Sequence, residues 1–230
     1  MTTKKPIIAI DGPAGSGKST VTRRVAQELG LLHLDTGAMY RAVTWLVMDQ
    51  KIDIQDGEAI AVLVQEMKLN LVPRNTPHLP SEVYINDHEV TKAIRTPEVT
   101  SNVSAIAAQA AVRAELVKLQ KNFGKQGGVI AEGRDIGTNV FPEAELKIFL
   151  TATAPERARR RLLDLKNQGY ENVNLESLIQ EIVDRDEQDT NRAIAPLRRA
   201  KDAQEIVTDN FSIEEVISQA VAFYNQLVPN

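Results

Sequence analysis

No cysteine occurs among the 230 residues. A disulfide framework and a thiolate metal site are therefore excluded, and the absence fits a reducing compartment. No stretch approaches the roughly 18 consecutive apolar residues that a bilayer-spanning helix needs. The opening Met1-Thr2-Thr3-Lys4-Lys5 runs straight into an apolar segment and lacks the apolar core of a signal peptide. The expectation is a soluble cytoplasmic protein with no membrane contact. Basic residues are not in excess either: 27 Lys and Arg stand against 31 Asp and Glu, a formal net charge of −4. That argues against a nucleic-acid partner, which selects for a strongly basic face. Internal repeats, low-complexity tracts and long linkers are also missing. With 43% hydrophobic residues, the chain can build one large α/β domain around a sizeable core.

What is present is organised by Gly12-Pro13-Ala14-Gly15-Ser16-Gly17-Lys18-Ser19, followed by Thr20. The stretch fits G-x-x-x-x-G-K-[ST], and its flanks are of the required kind. Pro6 to Ile10 reads as a buried strand, and Thr20 to Leu29 as an amphipathic helix. Such a loop wraps its backbone N–H groups and the positive end of a helix around phosphate. Lys18 is then expected on the β- and γ-phosphates, with the Ser19 hydroxyl on Mg²⁺. The motif names a nucleoside triphosphate but no reaction. Asp-x-x-Gly and Asn-Lys-x-Asp, which signalling GTPases pair with such a loop, occur nowhere in the chain.

Further short apolar runs recur between helical patterns. Leu31 to Asp35, Val129 to Glu132, Leu146 to Leu150 and Glu205 to Thr208 read as strands. Helices are expected at about 38–50, 56–67, 96–125, 156–167, 175–188 and 211–227. Residues 68–90 differ: alternating Leu69-Asn70-Leu71, a turn-rich stretch from Pro73 to Pro80, and a possible turn at Asn86-Asp87 imply a small antiparallel insert. His88 there reads as a surface turn residue. The predicted fold is α/β: a five-stranded parallel sheet with helices on both faces, in three layers. Ligands of such sheets bind beyond the C-terminal strand ends. Asp11, Asp35-Thr36, Glu132 to Asp135 and Thr151 should converge there.

Arginine is the other recurring feature. Arg41 and Arg134 follow strand ends. Arg157 and Arg161 share a helix face, as do Arg185, Asp189 and Arg192 if their helix persists. In-line phosphoryl transfer needs donor and acceptor held together and the moving charge neutralised. Arginine's bidentate fork does this at any working pH. Arg159 and Arg160 lie off the Arg157/Arg161 face and read as solvated salt-bridge partners.

Four blocks together resemble the bacterial cytidylate kinase family of nucleoside monophosphate kinases: Ile10 to Thr20; Leu34-Asp35-Thr36-Gly37-Ala38-Met39-Tyr40-Arg41; Gly133-Arg134-Asp135-Ile136-Gly137-Thr138-Asn139-Val140-Phe141-Pro142; and Arg185 to Leu197. The resemblance implies a P-loop kinase that uses ATP and Mg²⁺ to convert CMP or dCMP to the diphosphate. It implies a single kinase domain, with a core at about 1–36, 126–154 and 190–230. The monophosphate-binding region with its β insert would span about 37–125, and a short helical lid about 155–189. Thr36, Tyr40 and Arg41 would line the acceptor site, with Arg134 on the acceptor phosphate. Asp135, Ser104 and Arg113 would read cytosine, whose amino group can donate to a carboxylate. Arg185 and Asp189 would contact the sugar, and Arg192 the transferring phosphates. Arg157 and Arg161 would sit in the lid, so catalysis would fall on Lys18, Arg134, Arg157, Arg161 and Arg192. Ser104 and Arg113 are nine residues apart, about half a turn out of phase on a straight helix. They can face one base only if the helix breaks between them; otherwise Ser104 is an ordinary helix serine. Thr36 stands where some relatives have serine, and the hydroxyl is kept. A monomer is expected. The alternatives are another small P-loop nucleotide or metabolite kinase, and a nucleotide-binding regulatory module without turnover.

Overall fold

The computed structural model describes residues 5–74, 76, 79–167 and 169–227. Met1 to Lys4, and residues 75, 77 and 78 of the expected turn-rich stretch, lie outside the described residues. The chain begins with β1 (Ile7–Asp11), α1 (Lys18–Leu29), β2 (Leu32–Asp35), α2 (Thr36–Asp49) and α3 (Gly57–Glu66). The insert follows as β3 (Leu69–Val72), β4 (Glu82–Ile85) and β5 (His88–Glu89), then α4 (Pro97–Ala107) and α5 (Ala110–Gly124). The second half holds β6 (Val129–Gly133), β7 (Leu146–Thr151), α6 (Ala154–Asn167), α7 (Leu175–Asn191), β8 (Gln204–Val207) and α8 (Ile213–Leu227).

The large sheet is parallel, in the order β2-β6-β1-β7-β8. Its strands are near-continuous apolar runs because both faces are covered. Alternation divides them cleanly. Ala9, Leu34, Val129 and Ala131 face a core that includes Met39, Val43 and Leu46 of α2, Ile106 of α4 and Leu116 of α5. Ile8, Ile10, Ile130 and Ile148 face Val21 and Val25 of α1 and Val216 and Ile217 of α8. A separate small cluster, Ala158, Leu165, Leu178 and Ile182, joins α6 to α7.

The insert is a three-stranded antiparallel sheet, β3-β4-β5. Asn86 and Asp87 turn it with φ of 47° and 71°, the left-handed pair of a tight hairpin. His88 is exposed at that turn. Val83 and Ile85 are fully buried in the α2-side core, so the insert is part of the main packing.

The helical stretch expected over 96–125 is two helices. The break at Ala108 and Gln109 has a clear cause. Gln109 is extended at φ −83°, ψ 127°, and its side-chain amide donates to the Ile54 carbonyl. Other helix starts follow ordinary capping: Asp35 accepts from Ala38 N–H at 2.8 Å, Asp56 from Ala59 N–H at 3.0 Å and Asn174 from Ser177 N–H at 2.9 Å.

Register brings the polar strand ends together. Asp11 lies opposite Gly133 on one side and Phe149 on the other, while Asp35 lies opposite Glu132. The glycine loop leaves from the central strand, and its first residue cannot carry a side chain. A Cβ on Gly12, whose φ is +151°, would lie 1.9 Å from the Leu150 carbonyl oxygen.

Candidate active site

The loop from Gly12 to Gly17 leads directly into α1, with Gly17 left-handed at the helix start. Lys18 is buried, and its ammonium donates to the Pro13 carbonyl at 2.7 Å. Burial, reinforced by the charge of Arg134, pushes its pKa well below the ordinary lysine range. The Ser19 hydroxyl donates to Glu132 Oε2 at 2.6 Å. Glu132 Oε1 lies 2.8 Å from His33 Nε2. Burial alone would raise the Glu132 pKa. The hydrogen bond and charge of His33 outweigh it, with help from Ser19 and Lys18, and hold the carboxylate below its usual range. Burial likewise opposes a charged His33, but the Glu132 contact wins and raises its pKa. Asp35 behaves oppositely: burial and the Glu132 charge both raise it.

Arg134, Arg41 and Arg185 gather beside this loop. Arg134 Nε donates to Asp189 Oδ2 at 2.7 Å, and Arg41 Nη1 to Thr100 Oγ1 at 2.7 Å. Burial pushes the Arg41 pKa down to about 10, with the charges of Arg185, Arg95 and Arg134 adding to the effect. Arg185 is lowered by burial, Arg134 and Arg161, and its buried Nε has no hydrogen-bond partner. These guanidinium groups repel one another, which is the signature of a site built for an anion.

Asp135 is the next residue on. It is buried and receives Arg113 Nη2, Arg192 Nη2 at 3.1 Å and Asn139 Nδ2 at 3.1 Å. Arg192 is itself aimed by the Ala195 carbonyl, which accepts from its Nε at 2.7 Å. Ala195 holds a left-handed φ of 47° to do so. Arg113 lies 5.5 Å from the Tyr40 ring centroid, a stacked cation–π contact. Its Nη1 donates to the Ala107 carbonyl at 3.1 Å. The break after α4 thus turns Arg113 back towards α4, and Ser104 lies one turn before Ala107. Thr36 is used internally: its hydroxyl donates to the Glu132 carbonyl at 2.6 Å.

Arg157, expected in a lid, is 4% exposed and fully engaged. It donates to the carbonyls of Ala152 at 2.8 Å and Ala14 at 3.1 Å, and to both oxygens of Asp186. It ties the glycine loop to α7. The expectation for Arg159 and Arg160 divides. Arg159, with a side chain 71% exposed, pairs with Glu156. Arg160 is corrected: 31% exposed, it also donates to Thr208 Oγ1 at 3.0 Å and Thr208 O at 2.8 Å. Thr208 in turn donates to the Ser16 carbonyl at 3.3 Å, so Arg160 braces the glycine loop from β8. Its position off the Arg157/Arg161 face still brings it against Thr208, just past the end of β8.

Two residues have no role legible in the sequence beyond lying at strand ends. Glu132 sits between Ser19 and His33, and Asp11 accepts from the N–H groups of Ile136 at 2.8 Å and Gly137 at 2.7 Å. The signal that singled out Arg134, a charged residue at the end of a buried strand, applied equally to both.

Among the described residues, no helix is long and apolar enough to cross a membrane. No group of three or more His, Cys, Asp or Glu side chains among them is placed to hold a metal ion.

Comparison with known proteins agrees with this geometry. The chain is 59% identical, over 97% of its length, to a bifunctional pantoate ligase/cytidylate kinase of a Nostoc species, covering 42% of that protein. It is 58% identical over 96% of its length to the protein of that name from a Synechocystis species, covering 43%. The chain thus spans less than half the length of these relatives. A Thermus thermophilus protein of known structure shares the fold, with a TM-score of 0.51 at 16% identity, over 99% of this chain and 100% of that one. The profile of the cytidylate kinase family matches residues 8–226. Glycine loop, arginine cluster and buried carboxylate therefore lie within one family match that spans nearly the whole chain, and the chain belongs to the cytidylate kinase family.

Proposed function

We propose that this chain transfers the γ-phosphoryl group of ATP to CMP or dCMP and that the residues assembled above divide the work. The observation that carries this reading is the arrangement after β6. Mutually repelling guanidinium groups sit beside the glycine loop, and the next residue is a buried carboxylate held by two more arginines. A nucleotide with a dianionic phosphate and an amino-bearing base complements both halves. Its phosphate would relieve the repulsion among Arg41, Arg134 and Arg185, and its exocyclic amino group would donate to Asp135. Uracil offers no such donor at that position, so discrimination follows from leaving a buried acceptor unpaired.

The glycine loop and Lys18 would hold the β- and γ-phosphates of ATP. An acceptor phosphate oxygen then attacks the γ-phosphorus in line, and the bond to the ADP oxygen breaks. Lys18, Arg134, Arg161 and Arg192 would offset the charge on the moving group, while Arg157 keeps the glycine loop registered against α7. Asp189 would orient Arg134 and, with Arg185, meet the sugar. Ser104 and Arg113 would flank the base.

Ser19 fits a Mg²⁺ ligand: it is a hydroxyl beside a buried carboxylate, an all-oxygen set suited to a hard cation. A cation held chiefly by nucleotide phosphates needs only that hydroxyl and an ordered shell. When bound, Mg²⁺ would neutralise phosphate charge and orient the donor. Ser19 would hold it, and Glu132 would orient Ser19 and the surrounding water.

The unit is read as one kinase domain, with the acceptor region at 37–125 and the helix pair at 155–189 as a lid. On this reading the unit acts as a monomer in the cytoplasm.

The test is ADP formation from ATP with CMP, dCMP, UMP, AMP and shikimate side by side. CMP and dCMP should lead by a wide margin. Arg134→Ala should cost about 10³-fold or more in turnover, the scale seen when a charge-neutralising arginine is lost. A metabolite kinase would prefer another acceptor. A regulatory module would bind ATP, show no acceptor-dependent transfer, and be indifferent to Arg134→Ala.

A further inference from the structure

Asp11 ends β1, immediately before the glycine loop, and has no part in the roles assigned above. It is 4% exposed. Its partners are two consecutive backbone N–H groups, one on each oxygen: Ile136 at 2.8 Å on Oδ1 and Gly137 at 2.7 Å on Oδ2. Those N–H groups open the π-helical turn Ile136–Val140, directly after Arg134 and Asp135. On the other side of that pair, Gly133 is held in the ladder opposite Asp11 itself. Arg134 and Asp135 therefore form a two-residue bridge, and both of its ends are fastened to one residue of β1. The next residue, Gly12, is pressed against the Leu150 carbonyl of β7. The start of the glycine loop and the Arg134–Asp135 bridge hang from a single residue, through its backbone on one side and its carboxylate on the other.

We propose that Asp11 is a positioning residue that fixes the separation between the glycine loop and the Arg134–Asp135 pair, and thereby the placement of acceptor against donor. This rests on the acceptor roles given to Arg134 and Asp135. Two converging N–H donors need an acceptor at each position. A carboxylate supplies both, whereas an amide of the same shape turns its own N–H₂ towards one of them.

The arrangement has an electrostatic cost. Burial raises the Asp11 carboxyl to about 6, although the two N–H groups oppose it. From the loop after β6, the charge of Asp135 pushes the same way. From α1, Lys18 pushes back. From β7, the Lys147 stem passes Gly137, and its ammonium is paired with Asp202 at 2.8 Å.

The experiment compares wild type, Asp11→Asn and Asp135→Ala. Amide exchange in the ligand-free protein should show Ile136 and Gly137 protected at pH 7.5, with protection falling about 10-fold or more in Asp11→Asn, as expected when a hydrogen bond to a charged group is lost. In the same variant, KM for CMP should rise and the CMP-over-UMP preference should narrow, each by about 10-fold, while KM for ATP stays within about 3-fold. Unchanged protection, an unchanged CMP KM, or ATP and CMP KM rising together would each overturn the proposal. If Asp11→Asn does not fold, wild type alone decides. In the ligand-free wild type at pH 7.5, exchange of Ile136 and Gly137, corrected for intrinsic rates, should be slow because both N–H groups are held by Asp11, and free exchange there overturns the role. Should Asp135→Ala leave the CMP preference intact, the reading of the acceptor site fails instead, whatever Asp11 does.

Discussion

At the scale of single residues, the site is a set of groups that are costly to the fold and useful together. Arg185 is the clearest case. It is partly buried, its buried Nε has no hydrogen-bond partner, and Arg134 and Arg161 push against it. Arg185→Met should therefore leave thermal stability unchanged or slightly raised, while KM for CMP rises about 100-fold or more, a trade common where sites store unfavourable charge. A falling Tm, or an unchanged KM, would show that the guanidinium is structural. Asp11 gives a pH dependence with a definite sign. Its folded pKa, about 6, lies above the ordinary 3.8. The folded state therefore binds the proton more tightly than the unfolded chain, and ionised Asp11 costs stability on the order of 3 kcal/mol at neutral pH. That cost fades as pH falls through 6 towards 4. The stability difference, wild type minus Asp11→Asn, should therefore shift in favour of wild type over that range when unfolding is followed by denaturant titration. A difference that does not vary with pH would place the Asp11 pKa near its ordinary value.

At the scale of elements, the break between α4 and α5 sets how Arg113 meets Asp135. A straight helix would place Ser104 and Arg113 on opposite faces, and the sequence contained that conflict without its resolution. Gln109 resolves it through Ile54, a residue 55 positions away, a contact that no local pattern announces. Gln109→Ala should loosen this corner and raise KM for CMP by about 3- to 10-fold, with ATP affinity unchanged, as expected for one hydrogen bond that orients a binding residue. Equal effects on both substrates would point to general destabilisation. The α6–α7 pair has its own small core of Ala158, Leu165, Leu178 and Ile182, so it can move as a unit. Amide exchange across 155–189 should slow when ATP and CMP bind together, and no change would argue against closure.

At the scale of the molecule, much of the plan was readable because it rests on patterns that a linear chain displays. The glycine loop, the buried apolar strands and the alternation in β3 and β4 are all local signals. The pairing of β1 with β6 and β7 is less local, yet the motif at Gly12 and the glycine-flanked Arg134 pointed to the same edge. What stayed hidden were second partners. Arg160 looked like one more exposed cation until β8 was folded against it. Glu132 is only a strand-end carboxylate, and Thr36 only an acceptor-site residue, until Ser19, His33 and the β6 carbonyl supply their contacts. Sequence reveals which groups are chemically unusual, and packing decides which of them serve as struts.

The strand order has a further consequence. The glycine loop and the Arg134–Asp135 pair leave adjacent strands whose spacing is fixed by ladder hydrogen bonds, Asp11 against Gly133. The other groups proposed to flank the base, Tyr40, Ser104 and Arg113, come instead from α2, α4 and α5. On the proposed roles, reach is set by the ladder, while choice is shared between Asp135 and the helical layer. Redesign for a new pyrimidine or purine acceptor could proceed by repacking the helical layer around Tyr40 and Arg113, with the interval between the two phosphates left intact.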